Sequence, residues 1–271
     1  MLRRAIGGRV RALVGAGEVD LVRPADDHGL FGPGSVTWTV HGDFTAMMIG
    51  GVSSLLMQML HPGAMAGVWD HSDFRRDMTG RLKRTAQFVS VTTFGSTAAA
   101  ERAIGQVRRI HAHVRGTLPD GTSYTADDPA LLTWVHAAMV YGFLRAHLRY
   151  RDPTMPGARQ DAYCAEMAEL ARRLGTTDVP ESRAALDRYM AAMQPLLRAD
   201  ERTREVVGRM LRQPSPSLLN APANRLMLHA GVDLLPDWAI RLHNLQRSLA
   251  ERVGVRAGAM GVGGLLRWAL R

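Results

Sequence analysis

Apolar residues recur at helical spacing along most of this chain, and the strict alternation of a half-buried strand is nearly absent. Ser96 and Thr97 offer caps ahead of AAAERAIGQVRRIHAHVRG, and Gly116 stands where a helix end favours glycine, so a helix is predicted over 97–115. LPDGTSY holds an Asp-Gly turn. Asp128-Pro129 then opens a helix that runs to about Tyr150, with Asp as cap and Pro in the first turn. After a break over 152–157, another helix ends at Gly175. Further helices are expected over 181–195, 200–212, 223–231 and 237–252. The run from Phe44 to Leu60 carries no charge over 17 residues but includes two glycines and two serines. It is at the short limit for a membrane span and reads better as a buried core helix. Only VTWTV (36–40) and QFVSVTTF (87–94) are rich in β-branched residues, and neither has a convincing hairpin partner. The glycines from Gly258 to Gly264 predict a loose tail before LLRWALR.

The pattern therefore predicts an all-α fold, a single helical domain of about eight helices. The expected divisions are a basic N-terminal segment (1–34), the helical domain (35–252) and a Gly-rich C-terminal tail (253–271).

Composition narrows the function classes. With 46% hydrophobic and 22% charged residues, the chain is globular and not disordered. A net charge of +9 favours anionic partners. The basic residues are spread along the length and aromatics are only 6%, so no nucleic-acid partner is expected. Cys164 is the only cysteine, which excludes an internal disulfide and a cysteine-rich metal site and suits a reducing cytoplasm. MLRRAIGGRVRALVGAG lacks the unbroken apolar core of a secretory signal. Its arginines alternate with apolar residues, as do those of LLRWALR, in the manner of interfacial helices.

The chemistry-bearing residues concentrate between His61 and Arg151. On a helical wheel of 97–115, Ile104, Val107, Ile110 and Val114 cluster, His111 falls at the edge of that stripe, and His113 points away. His111 and Arg115, four apart, share a face of the expected helix. Imidazole binds iron, and a nearby guanidinium suits a carboxylate. Spacing alone nevertheless favours a satisfied, half-buried histidine over a ligand. His136 sits within the stripe of Leu132, Met139, Val140 and Phe143 and should be buried, as a ligand or a hydrogen-bonding support. His61, before Pro62, is placed to cap helix carbonyls, and His71 reads as turn chemistry. His28, His41, His147, His229 and His243 have no evident partner. Arg81, Arg84 and Thr85, at i, i+3 and i+4, offer two cations and a hydroxyl on one surface if their segment is helical. Glu-x-x-His pairs, His-Glu-x-x-His, a Walker loop, Gly-x-Ser-x-Gly and a dinucleotide fingerprint are all absent.

In order, LHPGAMAGVWDHSDFR, GRLKRTAQFV, VRRIHAHVRGTLPDGTSYTADDPALLTWVH and APANRLMLHAGVDLLPDW resemble the MpaB / rubber-oxygenase (latex-clearing-protein) catalytic domain family, over about residues 35–240. The resemblance implies an all-helical fold that encloses haem b and uses dioxygen, with isoprenoid double bonds cleaved by characterised members. It implies His111 as proximal iron ligand and Arg115 beside the haem. It makes Arg81, Arg84 and Thr85 the counterpart of the family's Arg-x-x-Lys-Thr; in a haem reading these line the distal side or bind propionate, and His136 and His61 support the pocket. Arg84 replaces the lysine that ligates iron in one rubber oxygenase, and a guanidinium that holds its proton is a poor ligand. The expectation is a haem-dependent oxygenase of a small apolar, isoprenoid or lipid-like substrate, cytoplasmic and peripheral at the inner membrane face. The alternative is a non-catalytic basic helical protein that binds lipid or a membrane surface.

Overall fold

The computed structural model describes residues 26–214 and 221–270. The basic stretch 1–15 lies outside them. The fold is all-α, as expected, with twelve α-helices and two three-residue strands among the described residues. In chain order these are α1 (Val36–His41), α2 (Phe44–Gln58), α3 (Pro62–His71), α4 (Met78–Phe94), α5 (Thr97–His111), β1 (Arg115–Thr117), β2 (Ser123–Thr125) and α6 (Pro129–Tyr150). Then follow α7 (Gly157–Leu174), α8 (Arg183–Met193), α9 (Glu201–Arg212), α10 (Ala221–Leu234), α11 (Asp237–His243) and α12 (Leu249–Leu270).

The core forms where α2 crosses α6, with α10 laid against α2. Ile49, Leu56 and Met57 of α2 are fully buried, as the uncharged run predicted. Glycine makes the close approach feasible: a Cβ at Gly50 would stand 2.8 Å from the Phe143 ring and 2.9 Å from the Phe143 Cα. Gln58 Nε2 donates to the Val135 carbonyl at 3.2 Å, which ties the end of α2 to α6. The expected caps are present: Asp128 accepts from the N–H groups of Ala130 and Leu131, and Gly175 ends α7 at φ 115°.

The expectation of about eight helices is too low. The predicted 237–252 helix is two helices, because α11 ends at Asn244 in the left-handed region (φ 55°). Both β-branched segments are helical. Ser35 caps α1, and the Glu166 carboxylate accepts from the Val36 and Thr37 N–H groups at 3.1 and 2.7 Å. These bonds supply the partners a helix start lacks, and they outweigh strand propensity.

The helix predicted over 97–115 stops at His111, with Ala112 as its C-cap. The chain turns instead into a hairpin closed by Gly121 (φ 87°), in which Arg115 pairs with Thr125 and Gly116 with Tyr124. Gly116 is a strand residue under the Tyr124 ring and not a helix cap. Tyr124 Oη donates to Asp70 at 2.6 Å and anchors the hairpin to α3. The shared helical face of His111 and Arg115 therefore does not exist.

The loose tail is also overturned, since Gly258–Gly264 lies within α12, which runs through the expected boundary at 252. The glycines let this helix lie close: a Cβ at Gly258 would stand 3.0 Å from Leu226 of α10. Ala259 is buried there, with Val255 and Val262 half-buried beside it. Among the described residues no single helix is long and apolar enough to cross a membrane.

Candidate functional site

The predicted site residues are spread over α4, the end of α5, β1, α6 and the residue before α3. On α6, His136 is 4% exposed, and neither ring nitrogen has a hydrogen-bond partner among the described residues. Burial lowers its pKa to about 4, so the ring is neutral at pH 7 with one N–H donor and one lone pair. An unpaired buried polar group costs about 1–3 kcal/mol. The stripe predicted from spacing is accordingly real, but the expected hydrogen-bonding role finds no protein partner.

His111 is the last residue of α5 and is half-buried. Burial lowers its pKa, with Asp127 opposing, and the ring makes no hydrogen bond among the described residues. His113, two residues on, is exposed and lies with Nδ1 2.7 Å from the Arg109 carbonyl oxygen. His111 is the more buried of the two, as expected, but His113 lies beyond the end of the helix. Arg115 stands on β1 with an exposed side chain that has no ion-pair partner among the described residues. Its carbonyl oxygen lies 3.1 Å from His71 Nε2, so His71 supports the hairpin.

Arg81, Arg84 and Thr85 do occupy one helix, α4, whose cap Asp77 accepts from the Gly80 N–H at 2.8 Å. Arg81 is half-buried and donates to Ser72 Oγ at 2.9 Å; burial and then repulsion from Arg84 lower its pKa. Arg84 pairs with Asp77 at 3.3 Å, with 63% of its side chain exposed. The Thr85 hydroxyl donates back to the Arg81 carbonyl at 3.2 Å. No hydrogen bond or ion pair joins these three residues to His111 or His136 among the described residues.

His61 caps a helix, but at the opposite end from that expected. It precedes α3 and accepts from the Gly63 N–H at 3.2 Å, with its ring centroid 6.3 Å from that of Trp134 on α6. A helix start offers N–H groups, so a neutral imidazole acts there as acceptor.

Sequence spacing missed a buried network. His41 Nδ1 lies 2.8 Å from Thr93 Oγ1 and Nε2 lies 2.9 Å from Tyr163 Oη, and burial, reinforced by His147, lowers its pKa to about 3. His243 Nε2 similarly approaches the Leu56 carbonyl oxygen at 2.8 Å. Partners 52 to 187 residues away leave no periodic signal.

Comparison with known proteins bears on this arrangement. The family described as ER-bound oxygenase mpaB/B′/rubber oxygenase, catalytic domain, matches residues 38–268. Similar proteins from Mycobacterium bovis and Mycobacterium tuberculosis, both described as uncharacterized, are each 30% identical over 163 residues. That stretch is 56% of this chain and 62% of each relative, so the chain spans less than two thirds of their length. No solved structure matches.

Proposed function

The chain belongs to the mpaB/B′ and rubber oxygenase catalytic-domain family, and on that premise we propose that it is a haem-b-dependent oxygenase of an apolar, isoprenoid or lipid-like substrate. The observation that carries the cofactor is the buried imidazole of His136 on α6, whose ring nitrogens have no hydrogen-bond partner among the described residues, together with the half-buried His111 at the end of α5. A b-type haem asks the protein for an axial nitrogen, cations for its propionates and apolar walls. Burial keeps the His111 ring neutral, which leaves a nitrogen lone pair for iron. Arg115 has a guanidinium to spare for a carboxylate. Half-buried Leu82 and Phe88 of α4 and Met139 of α6 supply apolar surface. Among the described residues no three His, Cys, Asp or Glu side chains converge, so iron held here would take its remaining donors from a macrocycle. These residues are of the types that would hold the group.

When bound, haem would supply the iron at which dioxygen is activated. The chain's own part is binding, orientation and exclusion of water. In this reading His111 would hold the iron and Arg115 would hold a propionate, while Arg81 and Arg84 place fixed positive charge on α4 beside the Thr85 hydroxyl. His136 offers one donor and one acceptor from the apolar face of α6. His61, fixed by Gly63 and Trp134, stiffens the approach. The apolar side chains of Leu82, Phe88 and Met139 would limit loss of reactive oxygen species to water.

Haem titration of the full chain tests this. The wild type should gain one Soret-absorbing haem b per chain. His111→Ala should lose it, and the exposed His113→Ala should keep it. Loss in His136→Ala with retention in His111→Ala would move the ligand to α6, and no binding by the wild type would remove the reading.

A further inference from the structure

We propose that the outward face of α12 docks flat onto an anionic lipid bilayer. Five of the nine most exposed large apolar side chains among the described residues lie on this one helix: Leu249, Val253, Met260, Leu265 and Trp268, each more than half exposed. Between them the solvent side carries only alanine and glycine, and the single charge on it is Glu251 in the first turn. An ordinary surface helix turns its charges outward. Here Arg252 and Arg256 reach inward to Asp233 on α10, and Arg267 reaches Asp43, the cap of α2, at 2.9 Å. Over 22 residues the outward stripe is about 33 Å long. A contiguous apolar stripe of that length marks a contact surface.

Charge selects the occupant. Arg252, Arg256 and Arg267 remain 28–35% exposed along the flanks of the stripe. Around Asp233 and Asp237 stand Arg149, Arg252 and Arg256, and around Asp43 stand Arg151 and Arg267, so positive charge is in excess beside the apolar stripe. A second copy packed here would bring those cations together. Anionic headgroups would meet them at the depth where Trp268 and the aliphatic side chains enter the interface. Because α12 buries its other side on α10 and α2, it lies in the membrane plane and does not span it.

The test is flotation of the full chain with phosphatidylcholine vesicles, with and without phosphatidylglycerol, and it needs no cofactor, so its failure leaves the proposed activity standing. Wild-type protein should float with the anionic vesicles and be released by salt. Met260→Glu/Leu265→Glu, whose side chains are already in solvent, should keep the wild-type circular dichroism and melting temperature and lose about tenfold or more in partitioning. Brominated lipid should quench fluorescence that Trp268→Phe removes. Equal flotation of the double variant, absence of wild-type flotation, or a solution dimer that Met260→Glu dissociates would each overturn the proposal, the last in favour of a second copy.

Discussion

Arg256 on α12 grips both oxygens of the buried Asp233 carboxylate on α10, with Nε 2.6 Å from Oδ2 and Nη2 3.2 Å from Oδ1. Arg252 adds a contact at 2.8 Å and Arg149, from α6, one at 3.1 Å, so a single carboxylate joins three helices. Burial by itself would raise the Asp233 pKa, but the hydrogen bonds from Arg256 and Arg252 outweigh it and hold the value below the ordinary range.

Asp233→Asn should therefore leave three guanidiniums facing one another and cost about 3 kcal/mol, the usual scale for breaking a buried pair. A depressed carboxylate pKa stabilises the fold above the unfolded value of about 4, and that stability is lost as pH falls through the lower folded value. Denaturant unfolding between pH 7 and 3 should show a loss in the wild type that is flatter in the variant. Equal stability of the two proteins at pH 7 would contradict the anchoring role.

His136→Leu should stabilise the cofactor-free protein by about 1–2 kcal/mol at pH 7, because it removes an unsatisfied buried polar group at similar volume. The His136 and His41 pKa values, about 4 and about 3, lie below the unfolded value. Between about pH 6.5 and those values the unfolded state binds more protons, so stability should fall as pH drops below about 6.5. The leucine variant should lose part of that slope in urea titrations at pH 4.5–7.5. Marked destabilisation would mean that the ring nitrogens are paired after all.

Gly142→Ala should cost about 2 kcal/mol or more through overpacking. Its methyl would stand 2.8 Å from the Gly50 carbonyl oxygen and 3.2 Å from the Ser54 nitrogen, backbone atoms that cannot rotate away. Gly157→Ala, at the start of α7 with open space around it, is the control and should be neutral or mildly stabilising. Equal melting temperatures for both variants would rule out the tight α2–α6 crossing.

Arg84→Lys tests the departure from the rubber-oxygenase pattern in haem-loaded protein. The wild-type ferric spectrum should lack a lysine-type low-spin signature, since the guanidinium keeps its proton. The lysine variant should gain some of that character as pH rises, once the amine leaves Asp77. A spectrum in the variant that ignores pH would place residue 84 away from iron.

Sequence by itself determined most helix spans and several side-chain environments. The cap at Asp128, the stop at Gly175, the buried run of α2 and the burial of His136 all follow from 3.6-residue periodicity and from capping. These rules operate within one or two turns, so they are written locally. The resemblance to an oxygenase family was equally legible, because its motifs are contiguous strings.

Tertiary structure alone decided the rest. Val36–His41 is helical because Glu166, 130 residues from Val36, accepts its first N–H groups. His111 ends α5 because the Arg115–Thr125 pairing draws the chain into a hairpin held by Asp70. Gly258 lies against α10, which uses the space it leaves, and the arginines of α12 turn inward because Asp233 and Asp43 wait there. Spacing along a chain encodes which residues share a face, but not what that face will meet. Packing and ion pairing between distant segments settle that, and here they made a helix of the expected loose tail and turned its arginines inward.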